Sequence, residues 1–564
     1  MTDRGRFSLG PVQAAFDEAL SALVAANAVE RIWAKDPTLW SDDPNTPELA
    51  DRLGWLTVID ALRSEADALL AFGREVRDAG YTRAIVLGMG GSSLCVEVLR
   101  LAIGSAPGFP RLGILDTTDP ATIRALTADL DLATTLFVVA SKSGGTVETL
   151  SHAAYFYDLV THHLGDRAGA NFVAITDPGS KLARLAADLG YRRTFLNQSD
   201  IGGRYSVLSY FGLVPAALAG IDVALLLDRA IAMANECKRP GRENPGLLFG
   251  AALGAAAKAG RDKLTIVTES GLASFGDWAE QLIAESTGKH EHGIVPIAGE
   301  ALGASAVYGD DRLFVQLALP GEAPLATAQP HIHLNLTDVY DLGAEFLRWE
   351  FATAVAGKVL AINPFDQPNV QESKDNTNRL LGVYAAAGRL PEPAPVAEDD
   401  GLALIEPDGG TAAGGSFADA LQAFLAQVKP GDYLALEAYI AGTPEHEAAL
   451  QALRHALRDR LHVATTLGYG PRFLHSTGQL HKGGANNGVF IQFVAPAADG
   501  GTLPIPGQSY DFGTLKAAQA LGDLQSLASH GRRAIRIDLG ADIQGGLARL
   551  LRMLDRATSE TRQG

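Results

Sequence analysis

The sequence predicts an α/β protein built on parallel sheets that helices cover on both faces. Three observations carry this. Brief β-branched runs recur (RAIVLGMG from residue 83, then RLGILDTTD, TLFVVASKSGG, NFVAITDPG and KLTIVTES), and each closes on Gly, Ser, Asp or Thr. Ala- and Leu-rich stretches separate them, and strands alternating with helices make a parallel sheet. Hydrophobic residues form 47% of the 564 positions and charged residues 20%, which suits the large core such sheets bury.

Taken in order, residues 1–75 read as a helical N-terminal segment. Pro11 to Val29 carries apolar residues at helical spacing, and Leu53 to Val76 is a second amphipathic stretch. Residues 76–220 and 221–390 form two α/β blocks. Residues 391–416, nearly all of them in LPEPAPVAEDDGLALIEPDGGTAAGG, are rich in Pro, Gly, Ala and acid and read as a linker. Residues 417–564 are a C-terminal α/β domain, with YLALEAYI, HVATTLGY, VFIQFVA and AIRIDLG as its strands. No fixed-period repeat is visible.

The formal charge of −18 argues against a nucleic-acid or acidic-membrane partner, because phosphate backbones need a basic face. Cys95 and Cys237 are the only cysteines, too few for a disulfide scaffold or a zinc finger. The opening MTDRGRFSLGPVQ lacks the apolar core of a signal peptide. No run approaches the ~18 apolar residues of a membrane span. A cytoplasmic protein is expected.

Ligands of parallel sheets bind outside the carboxyl ends of the strands, so the loops there hold the candidate chemistry. Gly88-Met89-Gly90-Gly91-Ser92-Ser93 follows the first strand of the first block. Its glycines let a backbone approach an anion at a helix N-terminus. A dinucleotide site using Gly88, Gly90 and Asp116 is one reading, with Ser93 where the third glycine belongs, and a plain tight turn is the other. Ser141-Lys142-Ser143-Gly144-Gly145-Thr146 precedes a helix near Val147. Its density of donors favours a phosphate cradle over a simple helix cap. Arg204, on the Gly202-Gly203 turn, suits developing negative charge, although taken alone it reads better as a surface arginine in a polar turn. Gln281 and Glu285 lie four residues apart on one helix face. Glu285 sits near the negative end of the helix dipole, which raises a carboxyl pKa and suits a general base, although a solvated face is the commoner case. Gln367, Gln371 and Lys374 share a helix face after Asn363-Pro364-Phe365-Asp366, as a site or as a solvated surface. The loop from Leu474 to Gly484 holds His475, His481 and Lys482. His290/His292 and His331/His333 lack a third and fourth ligand, so no metal site is expected.

Together GMGGSS, SKSGGTVET, GGRYSVLS, AESTGK, NPFDQPNVQESK and LHSTGQ, spread over residues 88–479, resemble the glucose-6-phosphate isomerase family. VERIWAKDPTLW and YGPRFLHSTGQLHKGG are similar to the isomerase half of the bacterial transaldolase/phosphoglucose isomerase fusion; no transaldolase domain is expected ahead of it. The resemblance implies doubly wound, three-layer α/β/α sugar isomerase (SIS-type) domains. It also implies isomerisation between glucose 6-phosphate and fructose 6-phosphate, in glycolysis and gluconeogenesis, through an enediolate. The family needs no metal or organic cofactor. By motif, Glu285 is the base that moves the proton between carbons 1 and 2, and Arg204 stabilises the enediolate. Ser141, Ser143 and Thr146, with the Lys142 backbone, hold the phosphate. Gly91, Ser92, Gln281 and Gln367 line the sugar. Lys374 and His475 assist ring opening, with His481 the competing histidine.

In ordinary members the histidine segment lies between the glutamate and lysine motifs. Here it follows Lys374 by about 100 residues, so the histidine is expected from the C-terminal domain or a neighbouring subunit, and a homodimer is among the expectations. The residue types match the chemistry, since ring opening, proton abstraction beside a carbonyl and stabilisation of an oxyanion each need one of them. Two other classes stand beside this reading: a non-catalytic sugar-phosphate sensor on the same fold, and an NAD-dependent dehydrogenase.

Overall fold

The computed structural model describes residues 5–407, 415–496 and 502–561. The chain divides into two units. The first comprises Met1–Asp116, Asp129–Gly299 and Arg312–Gln367; the second comprises Thr117–Ala128, Glu300–Asp311 and Pro368–Gly564.

The first unit opens with a short strand, β1 (Arg6–Ser8), followed by helices that include Gln13–Ala25 and Trp55–Asp78. The helical reading of residues 1–75 is corrected at β1, and residues 1–4 of it lie outside the described residues. A strand of three residues is too short to show alternation, and its pairing partner is more than 300 residues away. Next come β2 (Arg83–Gly88), β3 (Arg111–Leu115), β4 (Thr135–Ala140), β5 (Phe172–Thr176) and β6 (Arg193–Leu196). They form a wholly parallel sheet in the order β3-β2-β4-β5-β6. Its central strands are buried almost throughout, which is why RAIVLG and TLFVVA read as nearly unbroken apolar runs. The chain leaves β2 towards β3 but leaves β4 towards β5, so its direction reverses between β2 and β4. The loops at the carboxyl ends of these two strands therefore diverge around a crevice.

The second sheet of this unit contains β7 (Lys263–Thr268), β8 (Val295–Ile297), β9 (Arg312–Ala318) and β10 (His331–Asn335), in the order β1-β10-β9-β7-β8. Only β1 runs antiparallel. Helix Ala273–Thr287 follows β7. Phe275 and Trp278 lock it to helix Leu342–Leu360, with Trp278–Phe346 centroids 4.8 Å apart and Phe275–Trp349 centroids 5.4 Å apart. One apolar core, from Leu9 to Phe365, runs through both sheets.

The second unit has one sheet, built from β11 (Ala397–Asp399), β12 (Leu402–Ile405), β13 (Tyr433–Tyr439), β14 (Ala464–Tyr469), β15 (Gly488–Val494) and β16 (Arg533–Asp538). The order is β11-β12-β16-β15-β13-β14, with β13 to β16 parallel. The stretch read as a linker thus contributes the antiparallel strands β11 and β12, while its residues 408–414 lie outside the described residues. Pro and acid mask a strand signal in so short a run, whereas burial of Leu402 and Leu404 against the core supplies it. Helix Val370–Ala387 groups with this unit because it packs along helix Phe512–Ser529, where Arg379 donates to Gln525 at 2.6 Å and Glu372 accepts from Ser526 at 2.7 Å. Among the described residues no helix is long and apolar enough to cross a membrane.

Candidate active site

Two loops meet over the crevice side of the first unit. Gly90 takes φ +55°, and Gly91 lies so close to the Gly202-Gly203-Arg204 turn that a Cβ there would stand 1.9 Å from the Gly203 carbonyl oxygen. Only glycine permits that approach. The contact fixes the 3-10 turn Gly203–Tyr205 and, through it, the arginine.

Arg204 is not a surface residue: it is 3% exposed. Its Nε donates to Ser286 Oγ at 2.7 Å and its Nη1 to Gln367 Oε1 at 3.0 Å. Nη2 donates to the carbonyl oxygens of Pro364 and Asp366, both at 2.9 Å. These partners are all neutral. Among the described residues the one carboxylate within ion-pair distance of the guanidinium is Glu285, with Nη1 to Oε1 at 3.7 Å. A planar fork held on several sides cannot swing, and its charge stays available. Three sequence motifs, GGRYS, AESTGK and NPFDQ, are thereby tied together at one side chain.

Glu285 sits in the last turn of helix Ala273–Thr287, buried, with Gln281 Nε2 donating to its Oε2 at 3.1 Å. The i, i+4 spacing read from the sequence is therefore a real contact. Lys289, just past the helix, was not singled out as a site residue, yet it is 1% exposed. Its ammonium donates to the carbonyls of Asn363 and Asp366 and to the Asp366 carboxylate at 2.6 Å. Burial, with the Arg204 charge adding to it, pushes Lys289 down to about 7 against the pull of Asp366. Its presence in AESTGK was the available signal. Ser286, the acceptor for Arg204, lies in the same motif.

At the end of β4, Ser141 and Thr146 share a hydroxyl hydrogen bond at 3.0 Å, and Gly145 N–H donates to Ser143 Oγ at 3.3 Å. Thr146 occupies the N-cap of helix Val147–Leu164 but makes no side-chain cap bond. The simple-cap alternative therefore does not describe it. Lys142 turns its ammonium to Asp177 and to the Ser199 carbonyl at 2.8 Å. Only its backbone is left for the cradle. Ser92, in the 3-10 turn Gly90–Ser92, is buried.

Lys374 and His475 belong to the second unit. Lys374 is exposed on helix Val370–Ala387, and His475 is half-buried at the end of the 3-10 turn Arg472–His475. His481 is buried among Tyr433, Phe473 and Phe490, 3.1 Å from Glu437. Burial pushes His481 down to about 3, with the charge of Lys482 acting the same way. Of the two histidines, only His475 retains exposure. His333 is held by Gln316 and Asn335, both at 2.8 Å, and His331 by the Gln329 carbonyl at 3.0 Å. Among the described residues no group of three or more His, Cys, Asp or Glu could hold a metal ion.

The phosphoglucose isomerase family model matches residues 66–308. A glucose-6-phosphate isomerase of Citrifermentans bemidjiense is 34% identical over 437 residues, covering 64% of this chain and 79% of that protein. The chain belongs to the glucose-6-phosphate isomerase family. The parallel-sheet architecture of the family recurs in two solved structures. A hypothetical protein of Thermus thermophilus is 25% identical with a TM-score of 0.55, covering 66% of this chain and 99% of that one. A glucose-6-phosphate isomerase from Chlamydia trachomatis shares the fold at 20% identity and a TM-score of 0.52, covering 66% and 86%. The family model spans Gly91, Ser141, Arg204 and Glu285, so this geometry lies inside the stretch that carries the family likeness.

Proposed function

We propose that this family member interconverts glucose 6-phosphate and fructose 6-phosphate through an enediolate, with the first unit carrying proton transfer. The observation that supports this most is the buried pairing of Glu285 with Arg204, each held by separate neutral partners. A carboxylate must take a proton beside a carbonyl while a cation meets the oxygen that gains charge. Glu285 is the base and Arg204 the stabiliser. Ser141, Ser143 and Thr146, with the Lys142 backbone N–H, take the phosphate, whose binding energy positions the reacting carbons. Gly91, Ser92, Gln281 and Gln367 line the sugar.

Ring opening falls to Lys374 and His475, the histidine being preferred over His481 because a residue sealed in a core cannot reach substrate. The β2–β6 and β7–β10 regions correspond in this reading to the two sugar isomerase domains, 76–220 and 221–390. A cytoplasmic homodimer, with a sugar phosphate as its small-molecule partner, belongs to the same proposal.

The test is Glu285→Gln. Isomerisation should fall by roughly 10²–10⁴-fold, while a competitive sugar phosphate still binds in calorimetry. Near-normal turnover would sink the assignment. Binding without turnover in the unmutated protein would make it a sensor instead.

A further inference from the structure

The sheet of the second unit has two unlike faces. One is apolar, with Leu436, Ile491 and Ile537 in its core. The other carries a lateral row of polar side chains in register, Glu437 on β13, Gln492 on β15 and Arg536 on β16. Most of this buried charge is compensated. Lys482 Nζ donates to Asp523 Oδ1 at 2.7 Å, both wholly buried, and burial favours the neutral forms of Glu437 and His481, which stand side by side.

Arg536 is the exception. It is 8% exposed, its Nε donates to the neutral Gln492 Oε1 at 2.8 Å, and its Nη2 has no hydrogen-bond partner. Among the described residues no carboxylate lies within ion-pair distance of it. A buried guanidinium with an open Nη2, helped only at longer range by Asp523 and Asp538, is unfavourable, and an anionic partner would relieve it. Burial lowers the affinity of Arg536 for its proton, to about 10.

Arg536 also lines a cavity of about 710 Å³. Tyr439, Val494 and Asp538, at the carboxyl ends of β13, β15 and β16, form one wall, and the start of helix Phe512–Ser529 forms another. The chain direction reverses between β13 and β15, so the cavity lies on the side where open α/β sheets accept ligands. Its size falls within the range of small-molecule sites. Among the described residues, the acidic residues around it make no ion pair with Arg536. Asp511 accepts the Thr514 N–H at 2.7 Å and Asp538 the Gly540 N–H at 2.9 Å, while Glu392 and Glu398 are exposed. The other buried cation in its wall, Lys516, is paired with Asp119 at 2.9 Å.

We propose that this cavity is a second small-molecule site, for an anionic metabolite whose carboxylate or phosphate accepts hydrogen bonds from the Arg536 guanidinium. It is independent of the isomerase assignment. The full-length chain carrying Ser141→Ala, Ser143→Ala and Thr146→Ala, which removes the cradle hydroxyls, serves as background. Calorimetry with glycerol 3-phosphate and with malonate separates a phosphate site from a carboxylate site. At least one probe should bind, and Arg536→Gln should weaken it at least about tenfold. Ala517→Glu, an exposed helix position on the cavity wall, places a negative charge there without burying it. It should melt as its parent does and weaken the same probe. Absence of binding by both probes overturns the proposal, as does undiminished binding in Ala517→Glu, which decides the matter even where Arg536→Gln does not fold.

Discussion

Replacing Gly91 with alanine asks whether the fit between two loops sets the rate. The added Cβ would stand 1.9 Å from the Gly203 carbonyl oxygen, 2.5 Å from its carbon and 3.1 Å from the Arg204 nitrogen. Real Cβ atoms essentially never approach closer than 3.0 Å, so one backbone must retreat by about 1 Å. All three atoms are main chain, and no rotamer change relieves the clash. The segment that moves carries Arg204, whose four hydrogen bonds span only 2.7–3.0 Å. A misplacement of that size costs about 10²-fold in rate, close to 3 kcal/mol of activation. Overpacking should also cost ~1–3 kcal/mol of stability. Conversion of fructose 6-phosphate, followed through glucose-6-phosphate dehydrogenase and NADP reduction, reads kcat, and a melting curve reads stability. We expect kcat to fall about 10²-fold, with KM changing less. A normal kcat with an unchanged melting temperature would refute the reasoning, because the loops would then have accommodated a methyl group that the geometry forbids.

Arg204→Lys should lower kcat by roughly 10²–10³-fold and lower the melting temperature, since an ammonium cannot satisfy Ser286, Gln367, Pro364 and Asp366 together; steady-state kinetics and a thermal melt check both. Glu437→Gln should change the pH dependence of stability. Burial raises Glu437 to about 7 in the folded chain, from 4.5, so its stabilising contribution is full below 4.5 and lost as pH rises through about 7. The variant should therefore gain on the unmutated chain between pH 5 and pH 8, by on the order of 2 kcal/mol, in urea unfolding at the two values. A constant difference would show that Glu437 does not hold its proton.

Much of the candidate site was legible because its signals are local. SKSGGT ends an apolar run and opens a helix, and Gln281 and Glu285 share a face by helical spacing alone. The charge of Lys142 was less legible. Its motif places it in the cradle, but Asp177 sits 35 residues further on and takes the ammonium. His475 and His481 looked interchangeable as members of one loop. Their separation came from burial, since Tyr433, Phe473 and Phe490 close over the His481 ring while His475 stays half-buried.

The sequence by itself determined the α/β class, the parallel strands of the first unit and the residue types of an isomerase site. Each of these follows from short-range periodicity, or from chemistry carried within a motif of a few residues. Only the tertiary structure decided that Arg204 is a buried, fully braced cation. Its partners Ser286 and Gln367 are 82 and 163 residues away along the chain, a separation that no local pattern encodes. The same holds for β1, for the strands inside the expected linker and for Arg536, which reads in sequence as one more strand residue. Its open Nη2 depends on Gln492, 44 residues away along the chain, taking only the Nε.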